Sequence, residues 1–372
     1  MPIKDKECEY EDGPAFTDQY GIVDNKQNKT LKQIILLSSM LSVLTLAASA
    51  QDTHEHNETS LTDSIMPFAE QHIAGVEVTQ RRSGMRRMKG ATNGNIIDKE
   101  ELFKAACCNL GESFVTNPSV DVNYSDAATG ARQIKLLGLS GTYVQMLTEN
   151  LPNFRGAAGP YALGYVPGPW MKSIQVSKGS SSVRNGYESM TGQINIEYLK
   201  PEDEQGVTVN MYGDTEARFE ANVDANVHIN KHLSSEILAH YENRFAEHDG
   251  NGDGFRDMPG IRQYNLQNRW LYNNSKYIFH GGVSLLKEDR FSGQTEHHVH
   301  ISSNMPRYKI GIETDRYEAY MKHAFVLSRE HNSSIALMAS GSMHRQDAGY
   351  GIRSYYVNQY SVKFFVVAFQ HT

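Results

Sequence analysis

From Ala217 to Ile229 the chain alternates without a break: Ala217, Phe219, Ala221, Val223, Ala225, Val227 and Ile229 are apolar or small, while Arg218, Glu220, Asn222, Asp224, Asn226 and His228 lie between them. Period two is the signature of a β-strand, and at about 3.3 Å per residue this one is about twice the usual strand length of roughly 17–20 Å. One apolar and one polar face over such a length suit a strand crossing a bilayer, apolar side to lipid. The pattern returns at Val207–Met211, Leu233–Tyr241, Tyr277–Leu285, Tyr317–Phe325 and Ile335–Met343, and less cleanly at Gln263–Leu271. Tyr241, Phe245, Tyr272, Tyr277, Tyr317, Tyr355 and Tyr356 fall near segment ends, where an interfacial girdle would sit. A large soluble sandwich would alternate too, so the link lengths matter. Links near Lys231, Asn273–Lys276 and Glu330–Ser334 are short, and those at 246–259 and 290–314 are long, in the order that periplasmic turns and external loops would follow, except that the first external link, Gly213–Thr215, is short.

Upstream of Pro201 the pattern is different. Asp98 is placed to cap a helix through Leu102, Phe103 and Ala106, with Gly111 as its stop. Val120–Tyr124 reads as a strand, and Ile134, Leu136, Val144 and Leu147 as two more around a turn at Ser140 and Gly141. Between Pro152 and Trp170 glycine, proline, alanine and aromatics replace alternation, which predicts a structured loop of the kind that carries recognition. The stretch Ile174–Tyr198 then pairs a strand and glycine turn with a second glycine-led strand.

The 372-residue chain has a net charge of -7, and no long basic run appears, so a nucleic-acid partner is not expected. Its 39% hydrophobic content supports a core but not a helical membrane protein. One apolar segment, Ile34–Ala47, follows Lys26, Lys29 and Lys32 and precedes Ala48, Ser49 and Ala50, as in a cleaved secretory signal, with a membrane anchor as the alternative. Export would leave a mature chain from Gln51. The acids among residues 1–25 are the wrong charge for a signal and point to a misassigned start. Cys107 and Cys108 are adjacent, a poor geometry for a disulfide, and no CxxC is present. No serine, cysteine or carboxylate set has catalytic spacing, and an enzyme is not expected.

In the stretch from Ile174, the residues Ile174, Val176, Lys178, Gly179, Ser182, Gly186, Gly192, Ile194, Asn195 and Ile196 fill, in order, the pattern that closes the plug domain of TonB-dependent outer-membrane receptors. The chain resembles that family over roughly residues 74–365. The resemblance implies a mainly β fold, an α/β plug domain at 74–201 followed at 202–372 by antiparallel transmembrane β-barrel strands, part of a 22-stranded barrel. A leader at 1–50 and a flexible periplasmic arm at 51–73 would precede them. It further implies import of a scarce small-molecule or metal-chelate ligand such as a ferric siderophore, TonB with its inner-membrane energising complex as partner, outer-membrane lipid around the strands, and no required cofactor. A glycan or peptide importer, and a non-transporting surface binding protein, are the rival readings.

Carried over residue by residue, Glu77, Val78 and Thr79 stand where TonB adds a strand, with an ordinary first strand as the alternative. Asn153, Phe154, Arg155, Tyr161 and Tyr165 lie in the loop that faces the ligand, where packing of the aromatics against the wall is the alternative. The chain departs from the pattern at Leu137, where arginine is usual, and at Glu149 and Asn150, where Asp and Gly are usual. About eight barrel strands fit before Thr372 and KFFVVAFQHT loses the alternation, which reads as a truncated or frame-shifted product.

Two loops carry further chemistry. DGNGDGFRD sets Asp249, Asn251, Asp253, the Phe255 carbonyl and Asp257 in a calcium-loop order, though Gly260 stands where the bidentate glutamate belongs, so a structural calcium competes with a solvated acidic turn. Glu296, His297, His298 and His300 are of a type that binds transition metals or haem, but without other fixed ligands they read first as polar surface.

Overall fold

A computed structural model of the protein describes residues 86–87, 93–104, 108–115, 120–139, 141–179, 188–202, 206–295, 307–328 and 333–369. The leader, the arm, Glu77–Thr79, Cys107 and Glu296–His300 lie outside the described residues.

In the N-terminal layer the strands are β1 (Arg86–Arg87), β2 (Asn93–Asp98), β3 (Asp121–Asp126), β4 (Ala131–Lys135), β5 (Val144–Thr148), β6 (Leu151–Pro152), β7 (Met171–Lys178) and β8 (Gly192–Tyr198). Six of them form a mixed sheet in the order β1-β2-β7-β8-β5-β6, with β5 and β8 parallel and the other pairs antiparallel. The β3–β4 hairpin stands apart. The glycine-led hairpin is its centre: Ile174 lies opposite Ile196 and Val176 opposite Ile194, all four buried. Gly192 cannot be larger, because a Cβ there would sit 2.3 Å from the Ser177 carbonyl oxygen.

Asp98 does cap the helix, α1 (Lys99–Lys104), its carboxylate accepting the Glu101 N–H at 3.2 Å. Gly111 is not its stop. It leads into a separate 3-10 turn, Glu112–Phe114, which Asn109 organises by accepting the Glu112 N–H on its side chain and the Ser113 hydroxyl on its carbonyl. Between β4 and β5, Gly141 opens a 3-10 turn, Gly141–Tyr143, while Ser140 lies outside the described residues, and a further turn precedes it. This further turn is a two-residue turn at Leu137 and Gly138, both at positive φ and closed by reciprocal bonds between Leu136 and Leu139.

The C-terminal layer is one eight-stranded antiparallel meander, β9 (Gly206–Gly213), β10 (Arg218–Asn230), β11 (Leu233–Arg244), β12 (Gly260–Asn273), β13 (Tyr277–Gly293), β14 (Lys309–Ser328), β15 (Ser333–Tyr350) and β16 (Arg353–Phe369), each paired with its chain neighbours. The alternation at Gln263–Leu271, the weakest in the sequence, lies within β12. At the chain end KFFVVAF continues β16 although the apolar and polar alternation is lost at Phe365 and Val367, with Val362, Phe364 and Val366 exposed and Lys363 bonded to the Pro152 carbonyl.

This sheet is inside out. The positions packed on the N-terminal layer are mostly polar, among them Arg218, Glu220, Asn222, Glu236, His240, Asn265, Arg269, Glu288 and Arg290, all buried, beside a few apolar ones such as Leu238 and Ile312. The opposite face exposes Val209, Met211, Phe219, Val227, Leu266, Val283, Met321, Phe325, Val362 and Phe364. Cross-strand register places aromatics at both ends of that face. Tyr241 and Tyr264 pack at 5.0 Å at one end, and Tyr277 and Phe325 at 5.1 Å at the other. Tyr355 is the exception to the girdle reading, since it lies opposite Ala348 on the inner-facing parity. From Tyr317 to Phe325 the outer positions, apolar but for His323, cover about 27 Å of strand, or about 20 Å of height at a 40° tilt, close to the ~25 Å band of a membrane barrel. No described helix is long and apolar enough to cross a membrane.

Candidate functional site

The two layers meet through charge as much as through apolar contact. Leu238, Leu286, Ile310 and Ile312 of the sheet join the core built around Ile174, Ile194, Trp170 and Val166. Around them runs a set of buried ion pairs that tie plug-like turns to the wall. Glu149 is the hub of the first. It occupies a two-residue turn between β5 and β6, with φ 54° at Glu149 and 63° at Asn150. Type I′ turns favour Asn-Gly at these positions, so a glutamate in the left-handed region is strained and must be held by its surroundings. Arg269 of β12 donates to its carboxylate at 2.6 Å, and Lys322 of β14 lies 3.8 Å away. The Tyr198 N–H donates to it at 3.2 Å, while Asn195 and Glu197 of β8 accept from the backbone and side chain of Asn150. Arg269 also donates to Glu236 and to the Leu199 carbonyl. Burial pushes the Glu149 carboxyl up, but the charges of Arg269 and Lys322 outweigh it and hold the pKa below the usual glutamate value.

A second set lies toward the long loops. Arg218 binds Glu112 at 2.9 Å, Glu220 at 2.5 Å and Glu242 at 3.0 Å, so one guanidinium joins the 3-10 turn to two strands. Burial opposes ionisation of Glu112 as well, and Arg218 with the Cys108 N–H overcomes it, leaving the carboxyl lowered. Arg290 is held by Glu288 and donates to the Thr129 carbonyl at 3.1 Å. Asn265 donates to the Tyr165 carbonyl at 2.8 Å, and Gln359 donates to the Arg155 carbonyl while accepting the Ala157 N–H. These wall residues were legible only as polar positions of an alternation. Their partners, Glu112 and Glu149, carry no sequence signal beyond Glu149 standing in a turn that usually holds Asp-Gly.

The five loop residues divide. Phe154, Tyr161 and Tyr165 are interior, with Arg316 over the Phe154 ring at 5.2 Å and Arg290 over the Tyr161 ring at 4.8 Å. They fill the seam between loop and wall. Asn153 bonds Arg316 and Glu318, and Arg155 pairs with Glu188 at 2.5 Å. Asn153, Phe154, Arg155 and Glu188 border a cavity of about 500 Å³ that also takes in Ile134, Val144 and Met146.

In the 249–257 loop the acids are engaged by the loop's own backbone. Asp249 accepts the N–H groups of Asp253 and Gly254, Asp253 that of Phe255, and Asp257 that of Gly250. Among the described residues no three His, Cys, Asp or Glu side chains are gathered to hold a metal ion.

Residues 86–193 match the family described as TonB-dependent Receptor Plug Domain. Among solved structures, the chain is similar in fold to the siderophore receptor PiuA from Acinetobacter baumannii, with 12% identity and TM-score 0.54 over 70% of this chain and 37% of that one. The ferric-catecholate import receptor Fiu from E. coli K12 gives 13% identity and TM-score 0.54 over 76% and 47%. The ferripyoverdine receptor of the Pseudomonas aeruginosa outer membrane gives 13% and 0.54 over 72% and 37%. The chain thus spans less than half the length of these receptors. Comparison with curated protein sequences gives no match. Residues 86–193 are thus similar to the TonB-dependent receptor plug domain, and the chain, with the eight antiparallel strands that follow, shares the fold of part of these receptors.

Proposed function

We propose that the protein acts in energised uptake across the outer membrane, taking in a scarce ligand such as a ferric siderophore or another metal chelate, without chemical change to its cargo. The observation that carries this is the inside-out sheet, whose exposed apolar band suits lipid and whose buried polar face holds the plug. A wall joined to its plug by charged and amide contacts can separate into water at less cost than one joined by a continuous apolar core, because the freed groups are rehydrated. The Glu149 and Glu112 ion pairs are the joints that a pull on the N-terminal side would have to release, and TonB at Glu77–Thr79 is the partner that would supply the pull. Asn153 and Arg155, on the rim of the 500 Å³ cavity, would face the cargo once the plug shifts.

Expression of the full chain in an outer-membrane host lacking its own iron receptors tests the reading. TonB-dependent accumulation of at least one radiolabelled ferric chelate is the expected result. Accumulation that persists without TonB, or surface binding with no accumulation, overturns it, the second outcome favouring a non-transporting binding protein.

A further inference from the structure

The first long loop, between β11 and β12, holds an Asn-Gly bond at Asn251–Gly252. We propose that this bond is a site of spontaneous deamidation, at which Asn251 becomes aspartate or isoaspartate and the joint between the two long loops loosens. The inference goes beyond the importer reading and does not depend on it.

The chemistry needs a backbone nitrogen that can attack the preceding side chain. Gly252 supplies it: nothing lies within 4 Å of the place its Cβ would take, and among the described residues no protein group accepts its N–H. Its φ of 71° is open to glycine at no steric cost. Asn251 supplies the carbonyl carbon. Its Oδ1 accepts the Asp253 N–H at 3.0 Å, an Asx turn that closes a ring around the Gly252 peptide and draws electron density from Cγ. Its Nδ2 donates to the Asp253 carboxylate at 3.0 Å. Asn251 and Asp253 are both exposed, and water replaces such a bond there at little cost. Loss of the Gly252 proton to water lets its nitrogen bond to Cγ, and Nδ2 leaves as ammonia with a proton taken from water. One water then opens the cyclic imide at either carbonyl, giving aspartate or isoaspartate.

The other Asn-Gly bond among the described residues is the internal contrast. Asn93–Gly94 lies in β2, where Gly94 is buried and the two residues pair with Lys178 and Ser177 of β7. A backbone held on a ladder cannot bend to bring its nitrogen round, so the same dipeptide is protected there. At Asn251 the product disturbs a turn with a structural task. The amide that donates to Asp253 gives way to a carboxylate that repels it, and isoaspartate adds a methylene to the backbone. That turn is held by side chains on its own N–H groups, Asp249 accepting from Asp253 and Gly254, and Asp257 from Gly250. From it the Gly254 carbonyl accepts the Thr295 N–H at 2.9 Å, and the Arg256 N–H donates to the Gly293 carbonyl at 3.0 Å. These two bonds tie the first long loop to the base of the second, and a turn that loses its shape loses the tie.

The test ages the purified full chain in detergent at mildly alkaline pH and maps it by proteolysis and mass spectrometry, with isoaspartate separated from aspartate by chromatography. Asn251 should convert at least about tenfold faster than Asn93, a barrier difference of about 1.4 kcal/mol. Hydrogen exchange at the amides of Asp253, Gly254 and Thr295 should quicken in the aged protein and in fresh Asn251→Asp, with the amides of β13 as the unchanged reference. Asn251→Gln should age without either change, because its longer side chain closes the ring less readily. Equal conversion at Asn251 and Asn93 overturns the site. Conversion at Asn251 with unchanged exchange at Thr295 overturns the loosening of the joint. Neither readout uses a transported ligand, so failure of the uptake experiment leaves this inference standing, and its own failure leaves the importer reading standing.

Discussion

The plug and the sheet beside it sort the same residue types in opposite directions. In the plug, Ile174, Val176, Ile194 and Ile196 face inward and polar groups face out. In the sheet, Arg269, Glu236 and His240 face inward, while Val283, Met321 and Phe364 face out. The plug obeys the rule of a protein folded in water. On the proposed reading the sheet obeys it too, with hydrocarbon as the outer solvent and, inside, a plug with its own polar skin. The difference teaches that alternation reports two faces and says nothing of which is interior until the neighbour of each face is known.

Four perturbations test this contrast, in descending order of expected effect. Arg269→Met removes the cation between Glu149 and Glu236 and leaves two buried carboxylates without it, so the folded state should lose about 3–5 kcal/mol, measured by denaturant unfolding in detergent. Ile194→Ala in the plug should cost about 2–5 kcal/mol by the same measurement, as expected of an ordinary close-packed core. Val283→Arg, at mid-height on the outer face, should cost about 2–4 kcal/mol in lipid vesicles and much less in a water-facing context. A negligible cost in vesicles would mean that this face does not meet lipid.

The fourth perturbation is pH. The Glu112 and Glu149 carboxyls are lowered below the usual glutamate value of 4.5, so they bind fewer protons folded than unfolded near that pH. Their contribution is therefore full above about pH 5 and is lost as pH falls through the lowered folded values. Hydrogen exchange across β5, β6 and the Glu112–Phe114 turn should quicken below pH 4.5, and Glu149→Gln should flatten that dependence while slowing nothing at neutral pH. Acid-independent exchange in the unmodified protein would show that these pairs do not fasten the plug.

Much of the fold was readable because it rests on local rules. The strand periods, the Asp98 cap and the Gly192 hairpin each follow from side-chain spacing or from a backbone that admits no Cβ. Two boundaries show where such rules stop. A further turn closes at Leu137 and Gly138 through the Leu136–Leu139 pair, ahead of the one that Gly141 opens, and Asn109 started a new turn ahead of Gly111. At the site, Phe154, Tyr161 and Tyr165 were visible as aromatics in an irregular loop, but only the wall opposite makes them interior.

By itself, then, the sequence determined the hairpin at Ile174–Tyr198, the alternating strands and the resemblance they carry, because each depends on residues close in the chain. Tertiary structure alone decided that Glu149 meets Arg269 across 120 positions, that Glu112 meets Arg218 across 106, and that Tyr308, Tyr350 and Tyr355 share one corner. Those contacts depend on strand register and on the plug's seat against the wall, and a charged or aromatic residue in the chain does not say which distant partner the fold will bring to it.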